Sequence, residues 1–386
     1  MLINKSFHII ILLMFFYLLN GCGGSKTSVE ISDDMGNGEN NPEQNRPYIL
    51  GADISSLSEY VDNGAVFVDT DGEEKPMLAL LKNHGVNYIR LRTFIEPYAD
   101  FGYATGIGAG CEPKAEAYND KAHVIEMAKQ VKAAGMKLLL DFHYSDTWAD
   151  PSKQVIPEQW RGINTIDDLA QAVESYTAEV LSEMKSAGAL PDMVQIGNEI
   201  TPGLLIHTPT ADSDCFGNNS AVNQDVNGSV DTWSNLAMLL KAGINGVKQV
   251  DDNIDIMLHV ENTQDREGVR EWVNQAIEYS VTFDVLGLSA YERYQGPSTQ
   301  WEGTLNSLAS TFPELKFSIV EYNPQARLLN DIMFNLPEQR GLGTFFWEPV
   351  LSGDWGQSMF IKTGNVYTAK ADRFLIFDNI VEDYGL

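Results

Sequence analysis

The chain is poor in cysteine, histidine and basic residues. It has three cysteines in 386 residues, too few to staple a disulfide scaffold, and no C-x-x-C spacing for zinc. Six histidines include no H-E-x-x-H pair of the zinc hydrolases. Lysine and arginine number 26 against 54 aspartates and glutamates, a formal net charge of −28. That excess repels polyanions, which excludes nucleic acid as a partner and an acidic membrane surface held by charge alone. Long apolar runs are missing too: the longest, FHIIILLMFFYLL, spans 13 residues, short of the roughly 20 of a membrane-spanning helix. What remains is a globular composition, 44% apolar and 21% charged.

The apolar run has the length of a secretory signal's hydrophobic region and follows Lys5. It ends at Leu19-Asn20-Gly21-Cys22, which resembles a bacterial lipoprotein signal, where the cysteine becomes the lipidated N-terminus. The expectation is a signal peptide over 1–21, lipidation at Cys22, and a flexible linker over 22–47. The competing reading is ordinary secretion with a stray cysteine. The linker is rich in Gly, Asn, Asp and Glu and cannot bury a core. The protein is then expected in the cell envelope, held by a lipid anchor alone, at the outer membrane and surface-exposed.

From residue 48 apolar runs alternate with helical patterns. Strands are predicted at 49–53, 88–92, 137–142, 193–197, 255–259, 285–289, 316–320 and 343–347. Helices are predicted at 75–83, 119–134, 165–187, 231–250, 266–279, 304–311, 325–334 and 368–380, the second and third ended by Gly135 and Gly188. Eight alternations predict an α/β fold, a single closed (β/α)8 TIM barrel over 48–386. An open doubly wound sheet would bring a glycine-rich phosphate turn after its first strand, and ISSLSEYVDNG has none.

Barrel chemistry sits at the C-terminal strand ends. Here those ends carry Asp53, Arg92, Asp141, His143, Asn198-Glu199, His259, Glu261, Ser289, Tyr291, Glu321 and Trp347-Glu348. Glu199 and Glu321 end the fourth and seventh strands, on different sides of the barrel axis. Paired carboxylates across a barrel mouth are the tool of glycosidases, whereas a lone strand-end glutamate is more often a salt bridge. Trp148, Trp160, Tyr291, Tyr294, Trp347 and Trp355 lie in or after strand ends, where flat rings can stack on sugars or serve as core.

At these residues the chain resembles glycoside hydrolase family 53, the endo-β-1,4-galactanases. The resemblance rests on GADISSL (51–57), IRLR (89–92), LDFHYSDTWADPSKQ (140–154), IGNEITPGLL (196–205), IVE (319–321) and GLGTFFWEP (341–349). It implies a retaining (β/α)8 hydrolase of β-1,4-galactan, the galactan and arabinogalactan side chains of pectin. Glu199 is implied as general acid/base and Glu321 as nucleophile. Asn198 is implied as the partner of the sugar 2-hydroxyl, and Arg92 as the arginine that keeps Glu321 ionised. His143, Asp146, Trp148, Tyr291 and Trp347 are implied as cleft residues. No metal and no cofactor are implied, and a monomer is expected. The chain departs from the family at Ser289-Ala290-Tyr291-Glu292, at His259-Val260-Glu261-Asn262 and in an insertion at 101–119. The path from Tyr322-Asn323-Pro324 to the last strand is short, so a long calcium-binding loop is not expected there. Cys111 and Cys215 fall in loops on the catalytic face of an exported protein, which leaves a disulfide between them open. Two other readings remain: a related barrel hydrolase of another β-1,4-linked polysaccharide, and a non-catalytic glycan-binding lipoprotein.

Overall fold

The structure, a computed structural model, describes residues 46–108, 111–210, 213, 221–222, 226–353 and 356–386. The signal peptide, Cys22, nearly all of the linker, Cys215 and Trp355 lie outside the described residues, and with them the lipidation and disulfide readings.

Eight parallel strands close into a barrel. They are β1 (Ile49–Asp53), β2 (Tyr88–Thr93), β3 (Lys137–Phe142), β4 (Met193–Ile196), β5 (Asp255–Val260), β6 (Val285–Ala290), β7 (Lys316–Tyr322) and β8 (Gly341–Trp347). Each pairs with its chain neighbours, and β1 closes on β8 through Ile49 to Gly343 and Asp53 to Trp347. The helices that follow are α1 (Met77–Asn83), α2 (Lys121–Ala133), α3 (Ile166–Ser186), α4 (Trp233–Val250), α5 (Arg266–Glu278), α6 (Trp301–Thr311), α7 (Ala326–Phe334) and α8 (Ala371–Tyr384). All eight predicted strands and helices are present, with ends shifted by a few residues.

Local chemistry sets the helix limits. Asp120 and Thr165 side chains accept the first-turn amides of α2 and α3. Gly135 and Gly188 take φ of 71° and 69°. The amides of Met136 and Ala189 then reach back to the carbonyls of Val131 and Met184, the Schellman closure that glycine permits.

Strand alternation divides the core in two. One set of side chains, among them Leu50, Ile89, Leu138 and Leu140, packs outward against the helices. The other fills the barrel: Ile49, Tyr88, Leu139, Met193, Met257, Val285, Val320 and Phe345, one residue from each strand. Gly51 belongs to this layer because a Cβ there would sit 2.4 Å from the Phe345 ring. Towards the strand C-termini the interior turns polar, and that change places the site.

Two features were not anticipated. Val66–Val68 joins the hairpin Phe360–Thr363 and Val366–Ala369 in a small three-stranded sheet beside the barrel. At the opposite end from the mouth, the Arg46 guanidinium donates to the carbonyls of Phe334 and Gly341, both at 2.7 Å. Arg46, within the predicted linker, therefore packs on the barrel.

Candidate active site

Arg90 is the hub of the polar interior. It is 1% exposed and directs its guanidinium N–H groups at five side chains. Nη1 donates to Glu321 Oε1 (2.9 Å) and Asp53 Oδ2 (3.0 Å), and Nη2 to Asp141 Oδ2 and Asn198 Oδ1 (both 2.8 Å). Nε donates to Gln195 Oε1 at 3.2 Å. A rigid planar fork suits such a set better than an ammonium would.

This corrects the reading of Arg92. In β2 both arginines face the barrel interior, two residues apart. Arg90 is the deeper and meets Glu321. Arg92 is one pleat higher and pairs with Glu348 Oε1 and Ser56 Oγ, each at 2.8 Å. Its guanidinium lies 4.0 Å from the centre of the Trp148 ring, so it supports an aromatic wall.

A bulge aims Glu321. Leu288 pairs with Ile319 but Ser289 with Glu321, leaving Val320 as an extra residue on β7. Strict alternation would send one of two consecutive residues outward. The bulge lets both Val320, in the apolar layer, and Glu321 face inward. Arg90 holds one Glu321 oxygen, and the Tyr291 hydroxyl donates to the other at 3.3 Å.

Glu199 lies past the end of β4. Gly197 (φ 80°) and Glu199 (φ 48°) both take left-handed backbone, which turns the chain abruptly over the mouth. Glu199 Oε1 lies 2.8 Å from Ser289 Oγ, which in turn lies 2.9 Å from His259 Nε2. No cation contacts Glu199 among the described residues. Burial, then repulsion by Glu321 and Glu261, raises its pKa well above the carboxylate range. Burial raises Glu321 to about 7 against the pull of Arg90. The two titrate as a pair, and the proton they share rests on Glu199, the one with no cation.

The remaining predicted residues divide. Asn198 is buried, donating to the Ala149 carbonyl at 2.8 Å and accepting from Arg90. His143 accepts from the Ala149 amide at Nδ1 (2.9 Å) and faces Asp141 through Nε2 (3.0 Å). Trp148, Trp347 and Tyr291 form a continuous rim, with ring centres 6.4 and 6.3 Å apart in turn. The insertion contributes Tyr103, whose ring backs Trp148 at 6.1 Å.

Asp146 is not on the cleft. It is 3% exposed, and its oxygens accept the amides of Glu96 (3.1 Å) and Glu158 (2.7 Å), so it clamps two loops behind the rim. Trp160 is core, packed on Tyr144 and Tyr176. Tyr294 is 41% exposed, with the Arg293 guanidinium 5.4 Å from its ring centre. Arg90 and Gln195 were missed in the sequence. Their signal was a charged or amide residue at the inward position of an otherwise apolar strand.

The model of Glycosyl hydrolase family 53 matches residues 49–327. An uncharacterised protein of Niallia circulans is 35% identical over 268 residues, 69% of this chain and 63% of that protein, so the chain spans less than two thirds of that relative's length. The endo-beta-1,4-galactanase of Bacillus subtilis is 29% identical over 336 residues, 79% of this chain and 70% of the relative. Among solved structures, the family-53 catalytic domain of Ignisphaera aggregans superposes with a TM-score of 0.71 at 26% identity, covering 86% of this chain and 96% of that one. With its closed barrel and its two mouth carboxylates, the chain belongs to glycosyl hydrolase family 53 and is a glycoside hydrolase.

Proposed function

We propose that the protein hydrolyses internal β-1,4-galactosidic bonds of galactan and arabinogalactan, the side chains of pectin, with retention of configuration. The observation that carries the reading is the contrast between two carboxylates at one mouth. Glu321 is held by Arg90 and Tyr291, while Glu199 faces a hydroxyl and two further carboxylates.

The division of labour follows. Glu321, paired with a guanidinium, is the base-form oxygen that attacks the anomeric carbon. Glu199 gives its proton to the departing glycosidic oxygen. It then takes a proton from the water that releases the glycosyl-enzyme, whose C–O bond to Glu321 breaks. Burial raises the Tyr291 phenol well above its ordinary pKa, helped by Glu321, so it stays a donor and steadies the nucleophile oxygen. Asn198 keeps one amide N–H beyond its bond to Ala149, suited to the sugar 2-hydroxyl. Trp148 and Trp347 offer half-buried faces to the apolar side of sugar rings. Relatives named as endo-beta-1,4-galactanases support galactan as the polymer.

The proposal extends to location: an enzyme lipidated at Cys22, tethered by residues 22–47 to the cell envelope, outer membrane and surface-exposed, acting as a monomer. The apolar run that ends at Leu19-Asn20-Gly21-Cys22 and the core-poor stretch after it support this. Turnover on β-1,4-galactan beside mannan, xylan and cellulose, with NMR of the first-formed anomer, tests the activity. Preference for another polymer, inverted product or no turnover would each refute it.

A further inference from the structure

Glu199 takes φ 48°, a left-handed conformation that a residue with a side chain adopts only where its surroundings enforce it. Its φ and ψ are set by the two rigid peptide planes that flank its Cα. One side-chain amide grips the carbonyls of both. Gln154 Nε2 donates to the Asn198 carbonyl at 2.8 Å and to the Glu199 carbonyl at 3.3 Å, with the Asp150 carbonyl a third acceptor at 3.2 Å. Left-handed backbone points successive carbonyls the same way, as any helical turn does, so one donor group reaches two of them. The opposite edges of the same two planes meet His259: the Glu199 amide donates to Nδ1 at 3.4 Å and the Ile200 amide to the His259 carbonyl at 2.9 Å. The turn is therefore held from both sides.

Gln154 is itself fixed. It is 1% exposed, and its carbonyl accepts the amides of Ile206 and His207, both at 2.9 Å, while its own amide donates to His207 Nδ1 at 2.9 Å. The loop after β3 is thus bound to the loop after β4. Three carbonyls face Nε2, so the side-chain amide cannot be turned end for end, and its Oε1 stays buried without a hydrogen-bond partner. A side chain kept only to fill space would not carry that cost, so the position uses the donors.

We infer that Gln154 is a positioning residue that aims the Glu199 carboxyl at the departing glycosidic oxygen by fixing the turn beneath it. The inference rests on Glu199 being the acid of the proposed function. Among the described residues Gln154 bonds backbone and not the carboxyl, so it sets where the acid lies. A general acid must stand within hydrogen-bond reach of the oxygen it protonates, and a displacement of about 1 Å costs about a hundredfold in rate.

The test compares kcat/KM on galactan with kcat/KM on a dinitrophenyl galactoside, whose phenolate leaves without a proton. Both values report the steps up to the glycosyl-enzyme, and only galactan calls on the acid there. Gln154→Met keeps the volume and removes the donors. It should fall about 100-fold on galactan, mainly in kcat, and stay within about twofold on the aryl substrate. Gln154→Glu, its carboxyl kept protonated by the carbonyls around it, retains one donor and should lose less. Equal losses on the two substrates, no loss on galactan, or failure of both variants to fold would overturn the inference, since a residue that serves the core alone affects every substrate alike. Glu199→Gln, assayed alongside, must show the same sparing of the aryl substrate. If it does not, the assigned acid is wrong, and the proposed mechanism falls together with the inference. If it does and Gln154→Met does not, the inference falls alone.

Discussion

Replacing Arg90 by methionine removes one cation from among three buried carboxylates, those of Asp53, Asp141 and Glu321. Methionine fills much the same volume, so the effect is mainly electrostatic. At a charge separation near 4 Å and an effective dielectric of 20, each lost pairing is worth about 4 kcal/mol. For Glu321 that is a rise of roughly three pH units above its wild-type position. At pH 7 the nucleophile would then be protonated in all but about one molecule in a thousand, and kcat/KM on galactan would fall by roughly that factor. The acid limb of the pH profile should move up with it, with partial recovery at alkaline pH. Stability responds with a definite sign. A carboxylate whose folded pKa is raised binds more protons folded than unfolded, so stability falls as pH rises from the unfolded value to the folded one. In the wild type Glu321 contributes such a fall up to about pH 7. In Arg90→Met the fall extends further up, so the variant should melt higher at pH 5 than at pH 8. Leaving buried charges unpaired should cost about 3–5 kcal/mol at neutral pH. An Arg90→Met enzyme whose acid limb stayed in place would refute the argument that this guanidinium keeps the nucleophile charged. Arg92→Met, with the same change of side chain, should leave that limb alone and instead raise KM by loosening Trp148.

Glu321→Gln and Glu199→Gln should each lose most activity on galactan while remaining folded; on an aryl galactoside only Glu199→Gln should regain turnover with azide, and rescue of Glu321→Gln instead would reverse the roles. Asp146→Ala leaves the part-buried amides of Glu96 and Glu158 without their charged acceptor, so calorimetry should show a loss of about 1–3 kcal/mol; a large kcat effect with an unchanged melting temperature would return Asp146 to the cleft. Deleting residues 1–45 should yield an active soluble enzyme, and Cys22→Ala should release the full-length protein from membranes; a Cys22→Ala protein that still pelleted would contradict lipidation. Activity should persist in excess EDTA, because the paired carboxylates complete the reaction; loss restored by calcium would contradict this.

Eight strands were legible because each is a short apolar run closed by turn residues, and that pattern is local. Gly135 and Gly188 marked helix ends for the same reason: the left-handed turn they take is a property of glycine wherever it sits. Glu199, Glu321 and Trp347 stood out because polar or aromatic groups directly after apolar strands have few structural uses at a barrel mouth. Depth and direction were another matter. Arg90 and Arg92 share one strand face, and only closure of β1 on β8 decides which of them reaches Glu321. Glu321 faces inward through a bulge against β6, a relation between two strands that neither strand encodes alone. Asp146, implied as a cleft residue by the family resemblance, and Trp160, one of the aromatics in or after strand ends, turn inward because the amides and rings that receive them come from other segments. Glu199 meets Ser289 and His259, 90 and 60 residues away in the chain, only once the barrel has closed. Periodicity and residue chemistry act over one element and are written along the chain, whereas register, burial and charge pairing arise only when distant elements meet.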